Sequence, residues 1–104
     1  MQAGRLDRVI EIQELATEID DYGTPTKLWS KVAEVRAQML SYDATNRDGV
    51  RSSTDTTITF RIYYLAGVNL DCQVIYNDKP FKIQKIKELG RRAGLDLVVE
   101  RVGP

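Results

Sequence analysis

The chain has no histidine and a single cysteine, Cys72, among its 104 residues. Without imidazole there is no Ser-His-Asp or Cys-His nucleophile arrangement, and the commonest metal ligand is missing. A lone cysteine cannot close an intrachain disulfide, so nothing points to an oxidising compartment. Its place beside Val74 and Ile75 predicts a small buried hydrophobe rather than a reactive thiol. Excess charge is absent too: 15 basic and 15 acidic residues give a formal net charge of +0. A dedicated nucleic-acid binder usually carries a basic surplus. Balance suits a protein that associates, because little repulsion keeps copies apart. The two halves lean slightly apart, with two more acids than bases in Met1–Ser52 and the reverse in Ser53–Pro104. No apolar run approaches the roughly 20 residues that span a bilayer. The start, Met1 to Arg8, is polar and unlike a signal peptide. The expectation is one soluble domain over residues 1–104, made in a reducing cytoplasm, with no membrane partner, cofactor or metal.

What the sequence does have is alternation with a period of two, the signature of half-buried strands. In Arg8–Leu15, Ile10 and Ile12 fall on one face and Glu11 and Gln13 on the other. Ala16–Thr26 is polar, and with Gly23 and Pro25 it reads as a long turn connection. Trp29–Leu40 alternates Ala33, Val35, Ala37 and Met39 with charged or polar residues. Trp29 and Val32 are three apart, so a bulge near Val32–Ala33 is expected, with Trp29 anchoring the core. Ser41–Asp55 is almost free of large apolar residues and reads as a long polar loop, which in a compact domain is usually functional or disordered. Thr57–Tyr64 is the clearest strand, with Ile58, Phe60, Ile62 and Tyr64 on one face. Ala66–Asn69 is a turn and Cys72–Tyr76 a short strand. Asn77-Asp78 forms a two-residue hairpin turn into Phe81–Leu89, with Pro80 at the start of an edge strand. Gly90–Gly94 turns into the closing strand Leu95–Val102. About six strands joined by Gly, Asn and Asp turns predict an all-β fold, a small antiparallel β-barrel or sandwich.

Candidate chemistry is thin. Asp20-Asp21 could hold a hard cation, but adjacent aspartates in a turn are normally solvated. Asp43–Gly49 fails as a calcium loop, because Arg47 occupies a ligand position and the glycine is one place late. Gly90-Arg91-Arg92-Ala93-Gly94 lacks the helix and the Gly-Lys-Ser/Thr of a phosphate loop, which leaves a solvated hairpin tip or an acidic-partner contact. Lys79, Lys82, Lys85 and Lys87 near Tyr76 and Phe81 could track a single-stranded backbone. They are better explained as edge-strand lysines that discourage illegitimate pairing. No proton-transfer or metal constellation supports an enzyme.

In order along the chain, several segments form a recognisable set: Met-x-Ala-Gly-x-Leu leading to Arg8-Val9-Ile10-Glu11-Ile12-Gln13; Asp21-Tyr22-Gly23-Thr24-Pro25 before Trp29 and Val32–Ala37; Thr59–Tyr64 closed by Ala66-Gly67-Val68; and Val74–Ile83 before a terminal strand. This set resembles the head–tail joining (head–tail adaptor, head-closure) proteins of tailed bacteriophages. That pattern often has Pro-Gly where this chain has Ala66-Gly67, and a glycine where it has Asn77-Asp78; both departures leave workable turns.

The resemblance implies a structural subunit that binds beneath the portal ring, joins capsid to tail around the DNA channel, and works by assembly. It implies portal and tail proteins as partners, self-association into a roughly 6- to 12-fold ring, and a place in the virion after assembly in the bacterial cytoplasm. Transient contact with packaged DNA is compatible with it. On this reading Ser41–Asp55 is the assembly loop, with Tyr42, Arg47 and Arg51 as contacts, and Tyr22–Pro25 is a second contact turn. Lys82, Lys85, Arg91 and Arg92 are the residues for DNA or an acidic partner. The alternatives are a small-barrel single-stranded nucleic-acid binder using those residues with Lys79, and a tail-completion or tail-terminator protein.

Overall fold

The computed structural model describes residues 6–46 and 54–102. Six antiparallel strands follow one another: β1 (Arg8–Ile19), β2 (Pro25–Asn46), β3 (Thr54–Tyr63), β4 (Gln73–Tyr76), β5 (Lys79–Leu89) and β6 (Gly94–Val102). They close in the order β1-β2-β3-β6-β5-β4, so of the two expected all-β forms, barrel or sandwich, the barrel is the one found. No helix occurs among the described residues.

The alternation does what it should. Ile10 and Ile12 of β1, Ile58, Phe60 and Ile62 of β3, Val74 of β4, Ile83 of β5, and Leu97 and Val99 of β6 all point inward and are fully buried. Phe60 and Tyr76 meet edge to face with ring centroids 5.1 Å apart, a favoured aromatic geometry. Cys72 is buried, as its neighbours predicted. On the outer face Arg61 forks onto Asp96, Nε donating to Oδ1 at 2.7 Å and Nη2 to Oδ2 at 2.9 Å. Hydrogen bonding to Asp96 raises the Arg61 pKa above its ordinary value, opposed by desolvation and helped by Coulomb attraction to the same carboxylate. This pair staples β3 to β6 directly across the ladder.

β2 is the unusual element. A straight strand of its 22 residues would run about 70 Å, yet the longest dimension of the molecule is 48 Å. It must bend, and two bulges let it. Ile12 pairs with Ala33 while Gln13 pairs with Lys31, which leaves Val32 as the extra residue, where the sequence pattern required a register shift. Met39 pairs with Phe60 while Ser41 pairs with Thr59, which leaves Leu40 extra. The first part of β2, to Ala37, pairs with β1 and the remainder, from Gln38, pairs with β3.

Three expectations need correction. Ala16–Thr26 is not a long connection: β1 continues to Ile19, β2 starts at Pro25, and only Asp20–Thr24 turns. Polar residues there fooled the pattern because a two-stranded ribbon with both faces in water has no need of alternating hydrophobicity. Ser41–Asp55 is likewise mostly ladder, with Ser41–Asn46 extending β2 against Thr54–Thr59 of β3. The rest of that span, including Arg47 and Arg51, lies outside the described residues. Trp29 is not in the core: it pairs across from Leu15 on the outside of the ribbon and is 45% exposed.

The ribbon, residues 14–19 against 25–30, pairs with no other strand, because β4 meets β1 only at Glu11–Gln13. It forms an arm beyond the barrel. A radius of gyration of 15.5 Å, against about 13 Å for a compact chain this size, reflects that extension.

Candidate assembly surfaces

The arm is held at both ends. At its root, Gln73 Nε2 of β4 donates to Gln13 Oε1 at 2.7 Å. Gln13 in turn donates to Glu11, and the Lys31 ammonium lies 3.9 Å from Glu11 and 3.5 Å from Glu34. At its tip, Asp20 Oδ1 accepts the amides of Tyr22 at 2.9 Å and Thr24 at 2.8 Å. Asp20 N donates to Thr24 O, and Gly23 N to Asp20 O, both at 3.0 Å. Gly23 takes φ +78°, a conformation that side chains with a Cβ rarely adopt. The Asp20 carboxylate is therefore occupied in building the turn. The turn lifts Tyr22 almost wholly into solvent, at 93% exposure, with Pro25 exposed just behind it.

Cross-strand pairing decides which side chains share a face of the arm. Leu15 sits opposite Trp29, and Ile19 opposite Pro25, so these four lie on one side. All four are exposed, Ile19 at 74%. Sequence reading missed this stripe. Leu15 and Ile19 are odd-numbered on a strand whose buried residues, Ile10 and Ile12, are even, so they face away from the core once β1 is seen to run on to Ile19. At the root, Trp29, Leu70, Cys72 and Gln73, with Asp71 and Lys82, line a groove of about 290 Å³.

The far end of β2 presents a second element. Tyr42 pairs across from Ile58 but is 60% exposed, because it stands where the barrel opens. With Ile58, Tyr76, Lys79, Phe81 and Arg101 it lines a cavity of about 90 Å³. Tyr22 and Tyr42, both expected as contacts, are thus brought to different ends of β2 rather than together.

The basic candidates lie along β5 and its turn into β6. Lys82 and Lys87 of β5 stand directly opposite Glu100 and Asp96 of β6, and Lys85 opposite Val98. Lys85 and Lys87 lie where β5 pairs with β6 alone, its contact with β4 ending at Lys82, which suits lysines guarding an open edge. Arg91 is exposed at the β5–β6 turn. Arg92, at φ 57°, places its guanidinium 5.6 Å from the centroid of the Tyr64 ring. That cation–π contact gives Arg92 a local job. Among the described residues no cluster of three metal-ligating side chains exists.

These features define a class: a small all-β barrel with an exposed apolar arm and, among the described residues, no metal-ligating cluster. The chain belongs to the phage head completion protein family, whose model matches residues 1–102. It is therefore a structural component of virion assembly, and other virion proteins are its partners. Two solved structures share the fold. A chain in the virion of a native gene transfer agent particle is similar over 92% of this chain and 94% of that one, at 16% identity and a TM-score of 0.69. Protein SF1141 from Shigella flexneri 2a is similar over 95% of each chain, at 16% identity and a TM-score of 0.64. No curated protein matches the sequence.

Proposed function

We propose that the chain is a head–tail connector subunit that assembles as a ring beneath the portal, extends or closes the DNA exit, and offers a surface to the tail. The observation that carries this reading is the separation of two exposed tyrosines, Tyr22 in the turn that precedes β2 and Tyr42 near the far end of that bent strand. A joining subunit needs separate surfaces for separate partners. β2 and the turn before it hold them apart, while the barrel itself stays closed. Residues 47–53, with Arg47 and Arg51, continue the Tyr42 end in sequence and complete the contact region on this reading. Assembly at these surfaces is strengthened because the arm is pre-shaped, so little entropy is lost on contact.

The test is complementation of a phage lacking this chain with Tyr22→Ala or Tyr42→Ala, followed by electron microscopy of the particles. The expected result is DNA-filled heads without tails, with the purified variants still folded. Normal yields of tailed particles from both variants would refute the reading.

A further inference from the structure

We propose that the arm tip of one copy seats in the Trp29–Leu70 groove at the arm root of the next copy, linking copies head to tail. This rests on the reading of the chain as a ring-forming connector and names the contact that makes the ring.

The groove is apolar and open. Trp29 and Leu70 are 45% and 54% exposed, large side chains that water would otherwise cover. Its lining carries one acid and one base, Asp71 and Lys82. The tip carries Tyr22, an amphipathic ring at nearly full exposure, with Ile19 and Pro25 behind it on the arm. Tyrosine is the kind of side chain that fills such a groove while leaving its hydroxyl at the wet rim.

Charge selects the occupant. Residues 14–24 hold four acidic side chains, Glu14, Glu18, Asp20 and Asp21, and no basic one. Residues 79–93, which run from the groove along β5 to its far turn, hold six basic side chains and one acidic one. Among the described residues Glu14, Glu18 and Asp21 make no ion pair, and neither do Lys82, Lys85 and Lys87. An acidic tip and a basic flank on the same chain complement each other only between copies. The tip lies about 17 Å beyond Trp29 along a paired ribbon, and such a ribbon cannot bend back to its own root. The contact is therefore heterologous, and a heterologous contact repeats into a ring when its rotation closes. The hydrogen bonds of Asp20 hold the tip in shape before contact, which lowers the ordering cost.

The test is cross-linking of full-length protein carrying Thr24→Cys at the tip and Asp71→Cys in the groove, with Cys72→Ala removing the native thiol. A short bis-maleimide is applied to the free chain at high concentration and to assembled particles. The expected result is a ladder of dimers, trimers and larger species. A mixture of the two single-cysteine proteins should stop at dimers. Tyr22→Ala should cut the ladder about tenfold. Asp21→Lys should do the same, and adding Lys82→Glu to it should restore the yield. Absence of the ladder in both settings overturns the proposal, as does equal cross-linking by Thr24→Cys alone, which would mean tip-to-tip contact. If the ladder is absent yet Asp21→Lys still yields tailless heads, the tip meets another virion protein: the connector reading survives and this docking does not. If the ladder forms and Tyr22→Ala and Tyr42→Ala particles are still tailed normally, the docking stands and the connector reading falls.

Discussion

Replacing Asp20 with alanine should loosen the arm and leave the barrel intact. Asp20 Oδ1 accepts two of the four hydrogen bonds that shape the turn, from Tyr22 and Thr24. Losing both at an exposed site costs about 1–2 kcal/mol. The cost is local, because residues 14–19 and 25–30 pair only with each other. An isolated two-stranded ribbon is marginal in water, so the loss appears as arm opening, raised about 5- to 30-fold. Native-state hydrogen exchange followed by NMR reads this directly. Amides of the arm should exchange faster by that factor, while those of Ile58–Ile62 and Leu97–Val99 keep their protection. The melting temperature should fall by less than the roughly 4 °C expected when 1 kcal/mol is lost globally. Asp20→Asn retains the accepting oxygen and should fall between wild type and Asp20→Ala. Unchanged arm exchange in Asp20→Ala would show that the turn does not depend on this carboxylate. Equal acceleration in arm and barrel would show that the arm is no separate unit.

Other substitutions probe the remaining parts of the account. Phe60→Ala, at a fully buried position packed edge to face on Tyr76, should cost about 3–5 kcal/mol in denaturant unfolding. Gly23→Val forces a branched side chain into φ +78° and should cost about 1–2 kcal/mol, seen as faster arm exchange. Arg92→Ala removes the contact over Tyr64 and should lower stability by about 0.5–1 kcal/mol in the same denaturant assay. Gel shifts of the free chain with single-stranded DNA across a salt series should show no salt-sensitive binding, since the formal net charge is +0 and the chain as a whole offers a phosphate backbone no basic surplus. Tight binding that weakens steeply with salt would favour the nucleic-acid alternative instead.

The barrel was legible because its strands obey one rule. Ile58, Phe60 and Ile62 alternate against a core, as do Leu95, Leu97 and Val99, and burial enforces that pattern. The Asn77-Asp78 hairpin was equally readable: both residues take positive φ, 51° and 61°, which their short polar side chains tolerate. The bulge at Val32 stands where the spacing put it, though it turns Trp29 outward instead of bringing it to the core. The arm was not legible, because nothing is buried on either of its faces. Glu14, Thr17 and Glu18 satisfy a ladder with their backbones alone, so their side chains carry no strand signal. Ser41–Ala44 hid for the same reason. Trp29 was misplaced because a large aromatic ordinarily marks a core, and only the pairing with Leu15 shows which way it faces. The expected contacts Tyr22 and Tyr42 proved to be among the most exposed large side chains, but the groove they suggest became visible only when Leu70, Gln73 and Lys82 were brought beside Trp29.

The most direct measurement is a cryo-electron microscopy reconstruction of the head–tail junction in the virion that carries this chain. The account predicts copies of the barrel in a ring between portal and tail, with each arm reaching its neighbour. Finding the chain elsewhere in the particle, or as a lone copy at the junction with its arm touching nothing, would contradict it.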